Sequence, residues 1–203
     1  MKFRLCNCDI IISFPFISFI TSLSIFDKSG TMIWGILAAF IHEIGHIIAM
    51  VLINRKPVQI KLGLFDINII TNKQSYKNMF QEMFIILAGP LANIIFTIIS
   101  YLLLKQSNKE TFNFLTYENL FLALLNLLPI ESLDGGQIVY ILLLNKFNFI
   151  TCQNIIRITS FFVLTPLAAL GFLLLLKSKY NFSLLSISFY LIAIILFKKD
   201  DFF

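Results

Sequence analysis

The chain has 203 residues, 58% hydrophobic and 13% charged, with 16 Lys and Arg against 11 Asp and Glu for a net charge of +5. A soluble domain has no way to hide that much apolar side chain, so the composition points to a polytopic membrane protein. The positive balance is the ordinary excess of Lys and Arg in cytosolic loops and at lipid headgroups, and it calls for no nucleic acid.

In chain order, residues 1–9 read as a short basic head with Lys2 and Arg4, and residues 10–26 as a first apolar run closed by Asp27-Lys28-Ser29-Gly30. A cleaved signal peptide is the rival reading. The run is long for one and no clean small-x-small site follows, which favours an uncleaved span. Residues 31–53 form the second run. From Val58 to Ile70, apolar Val58, Ile60, Leu62 and Leu64 alternate with Gln59, Lys61 and Gly63. That period of two predicts a small β-hairpin between the second and third spans, against an irregular interfacial loop. Residues 79–104 are the third run, and 105–118 read as a polar loop. The apolar stretch from Asn119 to Leu128 is too short to span alone. Pro129-Ile-Glu-Ser-Leu-Asp-Gly-Gly136 interrupts it, and it resumes from Gln137 to Phe149. Broken backbone at membrane depth is tolerated only where protein or a wet cavity satisfies it. Two more runs, 154–176 and 182–197, bring the expected count to about six transmembrane helices, one of them broken. The fold class expected is an all-α polytopic membrane protein carrying one hairpin. Residues 1–203 read as one domain, with a core at 31–150 and flanking spans at 10–26, 154–176 and 182–197.

Placing the N-terminus in the cytosol and alternating puts eleven of the sixteen basic residues inside, among them Lys2, Arg4, Arg55, Lys56 and Lys61. Both termini are therefore expected in the cytosol of a multi-pass cell-membrane protein. The Ile-, Phe-, Asn- and Lys-rich composition suits an AT-rich genome, and a bacterial one is expected. Cys6, Cys8 and Cys152 are odd in number, make no disulfide framework and read as incidental.

The second run holds His42-Glu43-Ile-Gly-His46, and the chain has no other histidine. On a helix, residues four apart share a face, so two imidazoles can grip one metal ion while Glu43 reaches a water on it. Two histidines buried in a helix and satisfied by carbonyls would be the bland explanation. Three ionisable groups within five residues of an apolar run argue for function instead, because such groups are costly in lipid. The motif sits about 13 Å from the cytosolic end of its span, at 1.5 Å per residue. A hydrolytic zinc site takes three protein ligands and leaves one position for water. Glu131, Asp134 and Cys152 are the candidates for the third. Asp134 is favoured because Gly135 and Gly136 let the backbone approach closely, although Leu-Asp-Gly-Gly alone is an ordinary turn sequence.

Together, His42-Glu43-Ile-Gly-His46, Gly89-Pro-Leu-Ala-Asn93 and Asn126-Leu-Leu-Pro-Ile-Glu-Ser-Leu-Asp134-Gly-Gly resemble the site-2 protease family of intramembrane zinc metalloproteases. The resemblance covers about residues 31–150. It implies one Zn2+ held by His42, His46 and Asp134, Glu43 as the catalytic glutamate, and Gly89 and Asn93 as substrate-binding. On their own, Gly89 and Asn93 read equally well as close helix packing. Glu131-Ser132 stands where the family often has prolines, and neither a PDZ insert nor a cystathionine-β-synthase-type domain is expected. The size and flanking spans are similar to the stage IV sporulation branch. The implied partners are the lipid bilayer and a transmembrane or membrane-tethered protein substrate. Competing readings are a metal or proton transporter and an inactive relative that binds membrane partners without cutting them.

Overall fold

The computed structural model describes residues 2–5, 8–14, 18, 21, 32–55, 57–62, 67–71, 78–107, 110–178 and 191–192. It divides into two compact units, Met1–Leu124 and Leu125–Phe203.

The first unit combines a sheet with helices. Strands β1 (Lys2–Leu5), β2 (Cys8–Ile12), β3 (Pro57–Leu62) and β4 (Ile67–Thr71) lie in that order across one sheet. β1 pairs antiparallel with β2, β2 parallel with β3, and β3 antiparallel with β4. Parallel neighbours need a long crossover, and helix α1 (Met32–Leu52) lies within the one joining β2 to β3. Two sequence expectations change here. Residues 1–9 are more than a basic head, and the first apolar run starts as a strand, with Ile10–Ile12 in β2. The cause is a remote partner. Asp9–Ile12 pairs with Gln59–Leu62, fifty positions later, and a local apolar run carries no sign of it. The rest of the expected 10–26 span lies outside the described residues, apart from Ser13, Phe14, Ser18 and Thr21.

Helix α1 stops by a Schellman turn. The Arg55 N–H bonds the Met50 carbonyl at 2.8 Å and the Asn54 N–H bonds the Val51 carbonyl at 3.0 Å. Asn54 takes the left-handed conformation, with φ 58°, that this turn requires and Asn tolerates. Helix α2 (Met79–Ser107) begins at a cap, where Asn78 Oδ1 accepts from the Phe80 N–H at 3.3 Å. Arg55 joins these two helix ends, donating to Gln81 Oε1 at 3.1 Å and lying 3.9 Å from Glu82. Helix α3 (Glu110–Asn126) overturns the polar loop expected at 105–118. Its polar side chains are satisfied without breaking helix. Thr116 donates to the Ser100 hydroxyl at 2.9 Å, which donates to the Phe96 carbonyl at 2.7 Å. Asn119 Nδ2 donates to the Leu115 carbonyl at 2.8 Å. Such bonds stabilise polar residues among apolar helices.

In the second unit, α4 (Asp134–Leu144) and α5 (Phe149–Ser178) pack through Tyr140, Cys152 and Ile156. Helix α4 starts at Asp134, three residues before the expected resumption at Gln137. Helix α5 starts five residues before the expected 154 and runs through Pro166. The expected span 182–197 lies outside the described residues except for Leu191 and Ile192. Leu191 is buried with Ile130, Leu133 and Leu164.

Among the described residues, three helical stretches are long and apolar enough to cross a membrane: Ile33–Leu52, Met79–Gln106 and Phe149–Leu173. Large apolar side chains stand on their surfaces, with Phe162 83% and Leu52 69% exposed. Water would penalise such exposure and lipid does not. The protein is thus mainly helical and membrane-embedded, with a four-stranded sheet whose strands flank α1 in the chain.

Candidate metal centre

In the first unit, α1 places His42 and His46 one turn apart, both buried. Their Nε2 atoms converge to 3.1 Å, with the rings edge to face at 85°. His46 Nδ1 lies 2.8 Å from the Ile85 carbonyl. A carbonyl only accepts, so Nδ1 carries the proton and Nε2 the lone pair that a metal needs. Two nitrogens bound at about 2.0–2.1 Å to one tetrahedral ion stand about 3.3 Å apart. The pair fits that requirement closely.

The room for the rings comes from α2. A Cβ on Gly89 would fall 2.8 Å from His42 Cε1 and 2.6 Å from His46 Cε1, with His46 Nε2 nearer still. Ordinary Cβ contacts are 3.4–4 Å. Gly89, expected from its motif to bind substrate, therefore stands directly against both imidazoles. A Cβ on Gly45 would meet the Ala88 carbonyl and come within 2.8 Å of Ala92 Cβ. Here the missing side chain lets the two helix backbones approach.

Asn93 lies one turn beyond Gly89 on α2 and is fully buried. Among the described residues, neither its side-chain oxygen nor its nitrogen has a hydrogen-bond partner. A buried amide left without partners costs about 1–3 kcal/mol. An amide held at that cost is a ready donor and acceptor for a bound molecule. Glu43 follows His42 on α1 and is half-buried.

In the second unit, Asp134 is the first residue of α4 and is buried. The partial positive charge of a helix N-terminus favours a carboxylate there. The backbone before it is tightly folded. The Ile130 N–H bonds the Leu128 carbonyl at 2.8 Å, Leu133 N–H bonds Ile130 at 2.9 Å, and Gln137 N–H bonds Leu133 at 3.1 Å. Cβ atoms on Gly135 and Gly136 would collide with the carbonyls of Leu127 and Ile130 respectively. Both glycines are required by this close approach. Glu131, the other acidic candidate, is also buried in this turn. Cys152 is buried in the α4–α5 contact, 3.5 Å from the Phe147 carbonyl.

Sequence reasoning missed the Ile85 carbonyl behind His46 and the reason for Gly45. A backbone acceptor has no sequence signature. The small residues Gly45, Ala88 and Ala92 could have signalled close helix packing.

Comparison with known proteins gives a consistent class. The model of peptidase family M50 matches residues 103–167. Stage IV sporulation protein FB of Bacillus subtilis (strain 168) is 29% identical over 116 residues, covering 56% of this chain and 40% of that protein. The chain thus aligns with less than half the length of that curated relative. The solved site-2 protease from Methanocaldococcus jannaschii has a similar fold, with a TM-score of 0.68 at 23% identity, over 97% of this chain and 93% of that one. The matched segment and the curated relative make the chain similar, over part of its length, to membrane peptidases of the M50 type. The likeness to the site-2 protease is one of fold.

Proposed function

We propose that the chain is an intramembrane zinc metalloprotease that cuts a transmembrane or membrane-tethered protein in a bacterial cell membrane, with both termini in the cytosol and the whole chain acting as one catalytic domain. The observation that carries this reading is the convergence of the His42 and His46 Nε2 atoms beside Gly89. His42, His46 and Asp134 would hold one Zn2+, a donor set of two imidazoles and a carboxylate that suits zinc and leaves one position for water. Bound zinc supplies a Lewis acid and brings its water towards a pKa of ~7. Glu43 takes a proton from the attacking water as the new C–O bond forms, and delivers it to the amine as the C–N bond breaks. Asn93 offers its amide to the substrate backbone near the cut. Chelator treatment should reduce cleavage of a single-span substrate to background, and Zn2+ but not Mg2+ should restore it. Full cleavage by demonstrably metal-free protein would overturn the proposal.

A peptide bond inside a helix is shielded, so the substrate has to unwind before attack. Edge pairing with a strand would hold it extended. β3 is flanked on both sides by β2 and β4 and has no edge to offer. Among the described strands β1 and β4 are the outer ones, and docking is assigned to the edge of β4, the strand that lies within the predicted hairpin. Proline placed in turn at Asn68, Ile69 and Ile70 should slow cleavage several-fold wherever the lost N–H faces outward, with zinc content intact. Wild-type turnover in all three variants would exclude this route.

A further inference from the structure

The turn between α3 and α4 raises a question that the ligand set leaves open, namely what holds Asp134 still. The turn is broken backbone inside an apolar protein, so each of its N–H groups needs a partner. Those of Ile130 and Leu133 find carbonyls within the turn, and that of Leu128 finds the Leu125 carbonyl at the end of α3. That of Glu131 reaches outside the turn. It donates instead to Ser160 Oγ at 2.8 Å, from a residue twenty-nine positions later on α5. Ser160 is fully buried, and its hydroxyl is aimed by donating its own proton to the Ile156 carbonyl at 2.7 Å. With that proton committed, an oxygen lone pair faces the Glu131 N–H. One turn further along α5, Leu164 packs against Ile130 and Leu133. The same face of α5 thus grips the turn twice, once by hydrogen bond and once by packing.

From Glu131 the constraint passes to Asp134 over a very short path. A Cβ on Gly136 would collide with the Ile130 carbonyl, so the head of α4 has no slack relative to the turn. We infer that Ser160 is a positioning residue: its hydroxyl anchors the Glu131 N–H and thereby fixes the Asp134 carboxylate for metal binding. This rests on the reading of Asp134 as a ligand. Groups that orient a metal ligand without touching the metal are commonly worth roughly 10–100-fold in affinity.

The test uses the full chain in detergent or nanodiscs, with two measurements. One is amide hydrogen exchange at Glu131 in metal-free protein. The other is zinc affinity by chelator competition. Ser160→Ala should speed exchange at Glu131 at least tenfold and weaken zinc binding by roughly 10–100-fold. Ser160→Thr keeps the hydroxyl and should stay near wild type in both. Ser160→Cys keeps the bulk with a poor acceptor and should follow Ala, which covers the case of an Ala variant that does not fold. Slow exchange at Glu131 in the Ala or Cys variant would overturn the anchor. So would zinc affinity unchanged in those variants while Asp134→Asn weakens it. Equal losses in the Ala and Thr variants would mean packing alone, and would overturn it too. If Asp134→Asn binds zinc like wild type, the ligand assignment itself has failed, and the exchange measurement separates that failure from a failure of the anchor.

Discussion

Glu43→Gln should leave the protein folded and loaded with zinc while cleavage falls by roughly 10²–10⁴-fold, the usual contribution of a positioned general acid–base group. The substitution is nearly isosteric, and Glu43 is half-buried on a helix whose packing runs through Ala38, Gly45 and Ala49, so little is lost structurally. Gln retains hydrogen bonding but has no means of accepting the proton of the attacking water. The loss should appear in kcat, with KM for a single-span substrate little changed. The experiment also separates the competing classes. A metal transporter would move zinc without cutting anything, and an inactive binding relative would behave identically with Glu or Gln at 43. A Glu43→Gln protein that cleaves at the wild-type rate would remove the catalytic assignment.

Gly89→Ala should abolish stoichiometric metal binding, and activity with it, at a modest cost in stability. The added methyl would lie 2.6–2.8 Å from ring carbons of both histidines. Relief requires the imidazoles to turn. For His46 that breaks the 2.8 Å bond to the Ile85 carbonyl that fixes its tautomer. Zinc affinity should fall by 100-fold or more, since both ring orientations are disturbed at once, against roughly 10–100-fold for losing one orienting partner. Gly45→Ala makes the contrast. Its methyl would meet the Ala88 backbone carbonyl and Ala92, which have no rotamer to give way. That variant should lose thermal stability by prising α1 from α2, with metal loss secondary to unfolding. Zinc content by mass spectrometry beside a melting curve distinguishes the two. Wild-type zinc affinity in Gly89→Ala would show that the rings have more room than the backbone allows them.

The sequence reveals what depends on local spacing and hides what depends on remote partners. His42 and His46 announce themselves because a helix puts fourth neighbours on one face. The termination of α1 is legible in Asn54, a residue that tolerates the left-handed turn. Gly135 and Gly136 mark close backbone approach, although the carbonyls they avoid are nameless in sequence. The strand β2 is not legible. Ile10-Ile11-Ile12 is equally apolar as helix or strand, and only its partner β3 decides. The loop expected at 105–118 fails for a related reason. Thr116 looks like a loop residue until its hydrogen bond to Ser100 is known. Ser160 carries no motif at all, because its value lies in a neighbour twenty-nine positions earlier.

The β2–β3 ladder also bears on how the chain enters its membrane. Strands of five and six residues joined edge to edge share one compartment, so the tail bearing Lys2 and the hairpin bearing Lys61 have to emerge on the same face of the bilayer. Their basic residues cannot be distributed independently by the insertion machinery. During synthesis the first two strands leave the ribosome long before β3 does, and they wait there with an open flank until the rest of the sheet arrives.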